Sequence, residues 1–330
     1  MNALSGGSAD LVFDLIARHG ISCDAQRNGW IRAAHTKKTL ADLLVTSGQW
    51  RRRGAIVEGL SAHDIAQMLG TRGYIGGVID RRGGNLHPLN YALGLAQVAE
   101  NLGAHIHGNS RVIDLAKQGN DIVVKTQLGQ VKAHKVLVCT NAYTGDLGQP
   151  LGRTVVPVTS VQVATEPLSY NIANSILPDG QSVSDSHRLL LYFRKDADGR
   201  FVIGGRGALK DKSICARQAD LRAAAERLYP QLQGVAWQHA WGGSVALTRD
   251  HTPGLHLLAP GVMAGLGYNG RGVGMATAMG KVLADWAAGR AETRLDFPIT
   301  PVRTVPFHRF RGVGIGAAVT ASRILDRLGL

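Results

Sequence analysis

The chain has 330 residues, 45% of them apolar and 18% charged, and its 37 lysines and arginines against 24 aspartates and glutamates give a net charge of +13. This is an ordinary soluble composition, large enough for one big or two intimate domains. No run approaches the roughly 18 apolar residues of a membrane span, and the start MNALSGGSADLVFDLI lacks the basic and apolar regions of a signal peptide, so a cytoplasmic protein with no membrane span is expected.

The positive charge raises the question of nucleic acid, but the bases are scattered. Arg51, Arg52 and Arg53 form the only triplet, and there is no recognition-helix, zinc-finger or RNA-binding signature. No nucleic-acid partner is expected; an anionic cofactor or partner surface explains the charge equally well. The three cysteines, Cys23, Cys139 and Cys215, are odd in number and lack CxxC spacing, which reads as a reducing compartment. The dispersed histidines show no ligand spacing, so no metal is expected.

A first helix is predicted from Ser8, a candidate N-cap, with Leu11, Val12, Leu15 and Ile16 on one face and Gly20 as its stop. A second helical cluster runs from Ala34 to Arg53 around Leu40, Leu43 and Leu44. A third begins at Ser61 and Asp64, in capping-box positions ahead of Ile65, Met68 and Leu69, and stops at Gly70. This opening reads as helical. From Pro88 the spacing of Leu89, Ala92, Leu95, Ala96, Ala99 and Leu102 predicts another helix, ended by Gly103. His87 reads either as a helix-entry residue or as lining a cofactor cleft.

Strand-like runs follow at 104–107 and 111–115, then DIVVKT, a polar turn QLGQ, and VKAHKVLVCT, which reads as a buried central strand with Cys139 in core packing. Residues 151–250 are strand-rich (TVVPVTSVQVAT, RLLLYFRK, RFVIGG, VAWQHAW), with one helix between Ser213 and Tyr229, as in a mainly antiparallel domain. LHLLA and VMAGLG then lead into GYNGRGVGMATAMG, a glycine turn opening a helix.

Glycine is over-represented, with 42 in 330 residues against an average usage of about 7%. A helix starting near Gly272 aims free backbone amides and a partial positive charge at what precedes it, with Arg271 adding a full charge. The glycines serve equally well for close helix packing, Gly270, Gly274 and Ala278 being four apart. GVGIGA at 312–317 matches GxGxxA but follows HRFR rather than a strand, and is discarded.

The segments YIGGVIDRRGGNLHPLNYALGLAQVAENLGAHI, VKAHKVLVCTNAYTGDL, WGGSVALTRDHTPGLHLL, GYNGRGVGMATAMG and FPITPVRTVPFHRFR stand in one order. In that order they resemble the flavin-dependent amine oxidoreductases of the D-amino-acid-oxidase type, within them the gamma-glutamylputrescine oxidase-like branch. The resemblance implies an α/β (α+β) fold: an FAD/NAD(P)-binding Rossmann-like domain, N-terminally incomplete, plus an antiparallel-sheet substrate domain. Residues 1–20, 71–150 and 251–330 are expected in the first and 21–70 and 151–250 in the second. Family members open with a strand, a GxGxxG loop and a downstream acidic residue, which have no counterpart here. Three readings stand: a truncated sequence, a separate chain supplying the missing FAD-binding unit, or a flavin-free partner subunit or binding protein without independent catalytic activity.

By the resemblance, non-covalent FAD meets Val112 at its adenine end and Thr140 and Asn141 after the buried strand, while Gly267, Tyr268, Asn269, Gly270, Arg271, Gly272 and Val273 wrap the flavin's pyrimidine edge. A C-terminal cysteine thioether is excluded, because no cysteine follows Cys215. The implied reaction is oxidation of a C–N bond in a small-molecule amine, with hydrolysis of the imine and oxygen or another electron acceptor. Arg271, Tyr192, Arg194 and Trp241 are the candidate catalytic and substrate-contacting residues, the last three on the side implied to face the flavin. Each also has a plain reading, Arg194 as a solvated strand residue and Tyr192 and Trp241 as core aromatics.

Overall fold

The computed structural model describes residues 2–145, 147, 150–206, 211–310 and 312; the side chains of 211–215, that of Cys215 among them, and the GVGIGA segment beyond Gly312 lie outside that description. Short helices α1 (Asn2–Gly6) and α2 (Ser8–His19) open the chain. The N-cap of α2 is Gly7 rather than Ser8, whose hydroxyl donates to the Ser5 carbonyl at 2.9 Å. Next come β1 (Trp30–Ala34), α3 (Lys37–Arg51), β2 (Val57–Leu60), α4 (Ala62–Leu69) and β3 (Gly76–Asp80). The Ser61–Asp64 capping box is present, and Gly70 closes α4 in the left-handed conformation.

The expected all-helical opening is therefore corrected by three strands. Ile31, Leu60 and Ile79 join one core cluster with Ile65 and Leu69 of α4, while Ala34, Val57 and Val78 join another with Leu43 of α3. Short strands covered on both faces lose the alternation that announces a strand.

Helix α5 (Pro88–Asn101) follows, with the Asn90 amide donating to His87 Nδ1 at its start. Then come β4 (Val112–Gln118), β5 (Asp121–Thr126), β6 (Gln130–Ala133) and β7 (Val136–Val138); 104–107 form no strand. The run read as one buried strand is thus two, in different sheets, and β7 is an edge strand among the described residues, with Leu137 and Cys139 exposed. Cys139 is not core packing: Val136 and Val138 of this strand turn toward the core, and Cys139 is exposed. The remaining elements are β8 (Val156–Pro167), α6 (Tyr170–Ser175), β9 (Ser182–Asp185), β10 (Leu191–Lys195), β11 (Arg200–Arg206) and α7 (Asp211–Leu228). After them come β12 (Trp237–Leu247), β13 (Gly254–Ala259), β14 (Val262–Leu266) and α8 (Gly272–Ala287).

Contacts divide the chain into two compact units. One comprises Met1–Ile21, Ala92–Val158 and Ser244–Arg311. It holds the sheet β13-β14-β7, in which β14 and β7 run parallel, and the antiparallel sheet β4-β5-β6. Met279, Val282, Leu283 and Trp286 of α8 pack with Leu255 and Met263 of the first sheet, and α1 and α2 lie on α8.

The other unit includes Ser22–Tyr91 and Thr159–Gly243. Among its described residues is one eight-stranded sheet, ordered β12-β8-β11-β10-β9-β1-β3-β2, antiparallel in its recorded pairings except for β1 with β9. Residues 71–91, expected in the cofactor domain, fall here because β3 pairs with both β1 and β2. Residues 151–158 and 244–250 fall in the first unit, where Leu151, Val155 and Ala246 share a cluster with Val138 and Leu266. One face of the large sheet is the core: Ile31, Val161, Val163, Val183, Phe193 and Ile203 pack against Leu221, Ala225 and Tyr229. Each such burial contributes about 1.5–3 kcal/mol. The strand period of two turns the alternate residues to the opposite face.

Candidate functional site

In the first unit, the parallel strands β7 and β14 end side by side, so the turns that follow them meet. After β7, Thr140 and Asn141 begin a 3-10 turn in which Asn141 has φ 45°. Thr144 Oγ1 donates to the Asn141 carbonyl at 2.7 Å and lies 2.8 Å from Thr140 Oγ1. The Asn141 side chain accepts from the Gly267 amide at 2.9 Å, joining this turn to the one after β14.

That second turn is shaped by positive φ at Gly267 (82°), Asn269 (53°) and Gly270 (87°). Gly267 needs glycine twice over, since a Cβ there would also overlap the Thr248 methyl. Asn269 staples the turn: its Nδ2 donates to the Gly267 carbonyl at 2.6 Å, and its Oδ1 accepts from the Thr248 amide at 2.8 Å. Helix α8 then starts at Gly272 as expected, with Arg271 as an exposed N-cap and no side-chain cap. Tyr268 points inward, 7% exposed, into the cluster of Leu255 and Met279. Its ring thus packs in the core while its backbone belongs to the turn, and burial, with the nearby Cys139, pushes its phenol well up. Val112 opens β4 at a register shift and lies outside this hydrogen-bond network.

In the second unit, the sheet face opposite the core is apolar under α3 at the β1-β3-β2 end but polar around β8, β11, β10 and β9. Tyr192 pairs across with Gly204, which pairs with Gln162, and on the other side with Ser184, whose hydroxyl accepts from Trp30 Nε1 at 3.1 Å. A cavity of about 170 Å³ opens here, lined among others by Trp30, Gln162, Ser184, Tyr192, Arg194 and Val202. Tyr192 shares a short hydrogen bond with Ser160. Burial raises its phenol above the ordinary tyrosine value, while the Ser160 hydrogen bond and the charges of Arg217 and Arg206 draw it back.

Arg194 is half-buried, and desolvation lowers its guanidinium, with Asp196 and Asp24 pulling the other way. It remains a fixed cation. Neither Arg194 as a solvated residue nor Trp241 as a core aromatic describes what the structure shows: Trp241 is 44% exposed, on β12.

The structure thus groups Thr140, Asn141 and the 267–273 turn in one unit, and Tyr192 and Arg194 in the other. Sequence reasoning missed Ser160, Gln162, Trp30 and Ser184. The paired glycines of RFVIGG were a usable signal, because glycine inside a strand marks close approach by another group.

A family model for FAD dependent oxidoreductases, DAO, matches residues 1–286. The chain belongs to the DAO family. This DAO-family chain is 30% identical, over 86% of its length, to the probable oxidoreductase OrdL of Haemophilus influenzae, and spans 66% of that protein. It is 32% identical, over 97% of its length, to the gamma-glutamylputrescine oxidoreductase of Escherichia coli, spanning 76% of it. Among solved structures, glycine oxidase from Geobacillus kaustophilus superposes with a TM-score of 0.76 at 22% identity, over 90% of this chain and 81% of that one, which establishes a common fold. Among the described residues, no helix is long and apolar enough to cross a membrane.

Proposed function

We propose that the chain binds FAD non-covalently and oxidises a C–N bond of a small-molecule amine or amino-acid-like compound. The match over residues 1–286 carries this reading, and the residues of the glycine turn fit the cofactor. The amides of Gly272, Val273 and Gly274 find no acceptor within α8 and, among the described residues, no capping side chain. Gly270 and Gly272 leave open the space a Cβ would fill, and Arg271 adds an exposed cation. These groups, braced by Asn141 and Asn269, would hold the flavin's pyrimidine edge and stabilise negative charge there. When bound, FAD supplies the redox chemistry, accepting a hydride equivalent from the carbon beside the amine nitrogen.

The chain's own part is binding and orientation. Tyr192 and Arg194 offer a hydroxyl donor and a fixed cation, a pair suited to a substrate carboxylate, while Trp241 offers an exposed aromatic surface. The nearest chemistry among the relatives' names is gamma-glutamylputrescine, an amine that also bears an amino-acid group, and we take a compound of this kind as the substrate. The imine product would hydrolyse in water, with oxygen or another acceptor as the final oxidant.

The test is an absorbance titration of the chain with FAD, followed by anaerobic addition of gamma-glutamylputrescine and other carboxylate-bearing amines. Saturable binding and amine-dependent bleaching of the flavin band are expected. Absence of binding overturns the cofactor reading. Binding without bleaching by any of these amines overturns the substrate reading.

A further inference from the structure

Strand β11 carries Gly204 and Gly205 in succession, and a neighbouring element fills the place of each missing side chain. A Cβ on Gly204 would overlap the Tyr192 ring; one on Gly205 would overlap the Arg217 guanidinium. Successive strand residues point to opposite faces, so the phenol lies on the polar face and the guanidinium beneath the core face. Among the described residues, the Gly204–Gly205 backbone lies between the two positions they fill. Arg217 reaches this place from α7 and is 8% exposed, and its ion-pair partner Asp220, at 3.9 Å, is half in solvent.

We propose that Arg217 is a positioning residue for the polar face: acting through the Gly204–Gly205 gap, its charge polarises the Tyr192 hydroxyl and strengthens it as a donor to an anionic group of the substrate. The groups that act on this hydroxyl are Ser160 from β8 and Arg206 from β11 and, from beneath the other face, Arg217 from α7. Both cations favour loss of the phenol proton, and Ser160 holds the oxygen in place. The inference rests on the substrate role given to Tyr192, so its test is run without substrate and fails or succeeds separately from that reading.

The full chain is prepared with Tyr192→3,5-difluorotyrosine, which ionises in an accessible pH range, and its phenolate absorbance is titrated. Arg217→Gln is expected to raise the ionisation midpoint by about one pH unit, a tenfold change in the constant. Arg217→Lys, which keeps the charge, is expected to restore most of it. A role confined to packing would not separate Gln from Lys in this way. An unmoved midpoint in folded Arg217→Gln overturns the proposal. If that variant does not fold, Gly205→Ala displaces the guanidinium instead: a raised midpoint supports the proposal and an unchanged one overturns it.

Discussion

Asn141 Oδ1 accepts a hydrogen bond from the Gly267 amide at 2.9 Å, across 126 residues of sequence. This single bond makes the turns after two parallel strands into one surface, at the strand ends where open α/β sheets bind ligands. Asn141→Ala removes the acceptor and forces alanine into a left-handed conformation that asparagine tolerates. A loss of about 1–3 kcal/mol in stability is expected, together with at least a tenfold weaker FAD dissociation constant. Asn141→Asp keeps an acceptor and should retain most of both. Thermal unfolding and flavin titration of the two variants check this.

Gly204→Ala places a methyl group against the Tyr192 ring and the Gln162 side chain. Overpacking of this kind costs about 1–3 kcal/mol, and the ring must leave its place over the strand. Steady-state kinetics on a carboxylate-bearing amine should show KM raised about tenfold, equivalent to about 1.4 kcal/mol, with FAD affinity unchanged. A wild-type KM in a folded variant would detach Tyr192 from substrate binding.

Arg194→Ala removes the half-buried cation of the polar face. KM for a carboxylate-bearing amine should rise ten- to a hundredfold, about 1.4–2.8 kcal/mol, whereas an amine of similar length without the carboxylate should be little affected. Equal effects on both amines would assign Arg194 to the architecture of β10 instead.

Tyr229 is fully buried and donates to the Leu69 carbonyl at 2.9 Å. Burial raises its phenol far above the ordinary value. A raised folded-state value stabilises the protein below the unfolded tyrosine value of about 10, and that stability is lost as pH rises above it. Tyr229→Phe should therefore cost about 1–2 kcal/mol at neutral pH, where the hydrogen bond is lost, yet decline less steeply at alkaline pH. Tm measured from about pH 8 to pH 11 tests the sign; Tyr74 and Tyr268, also raised, leave part of the decline in place.

Much of the architecture is legible where a local rule governs it. The Ser61–Asp64 capping box, the left-handed stops at Gly20 and Gly70, the start of α8 at Gly272 and strands β8, β10, β11 and β12 follow from capping chemistry and periodicity, whereas the short polar strand β9 gives no such signal. Strands β1 and β3 do not, because helices cover both of their faces and erase the alternation. VKAHKVLVCT reads as one strand because apolar character does not show that His134 and Lys135 separate two strands belonging to different sheets.

The site divides in the same way. The amino-acid order by itself determined the family motifs and the glycine turn, since a backbone that needs positive φ and open space at Gly267 and Gly270 admits few residues but glycine. What only the tertiary structure decided was which distant groups meet: Asn141 with Gly267, Ser160 with Tyr192, and Arg217 with the gap at Gly205. Such pairings depend on strand order and register, which are set by burial over the whole sheet rather than by any local stretch of chain.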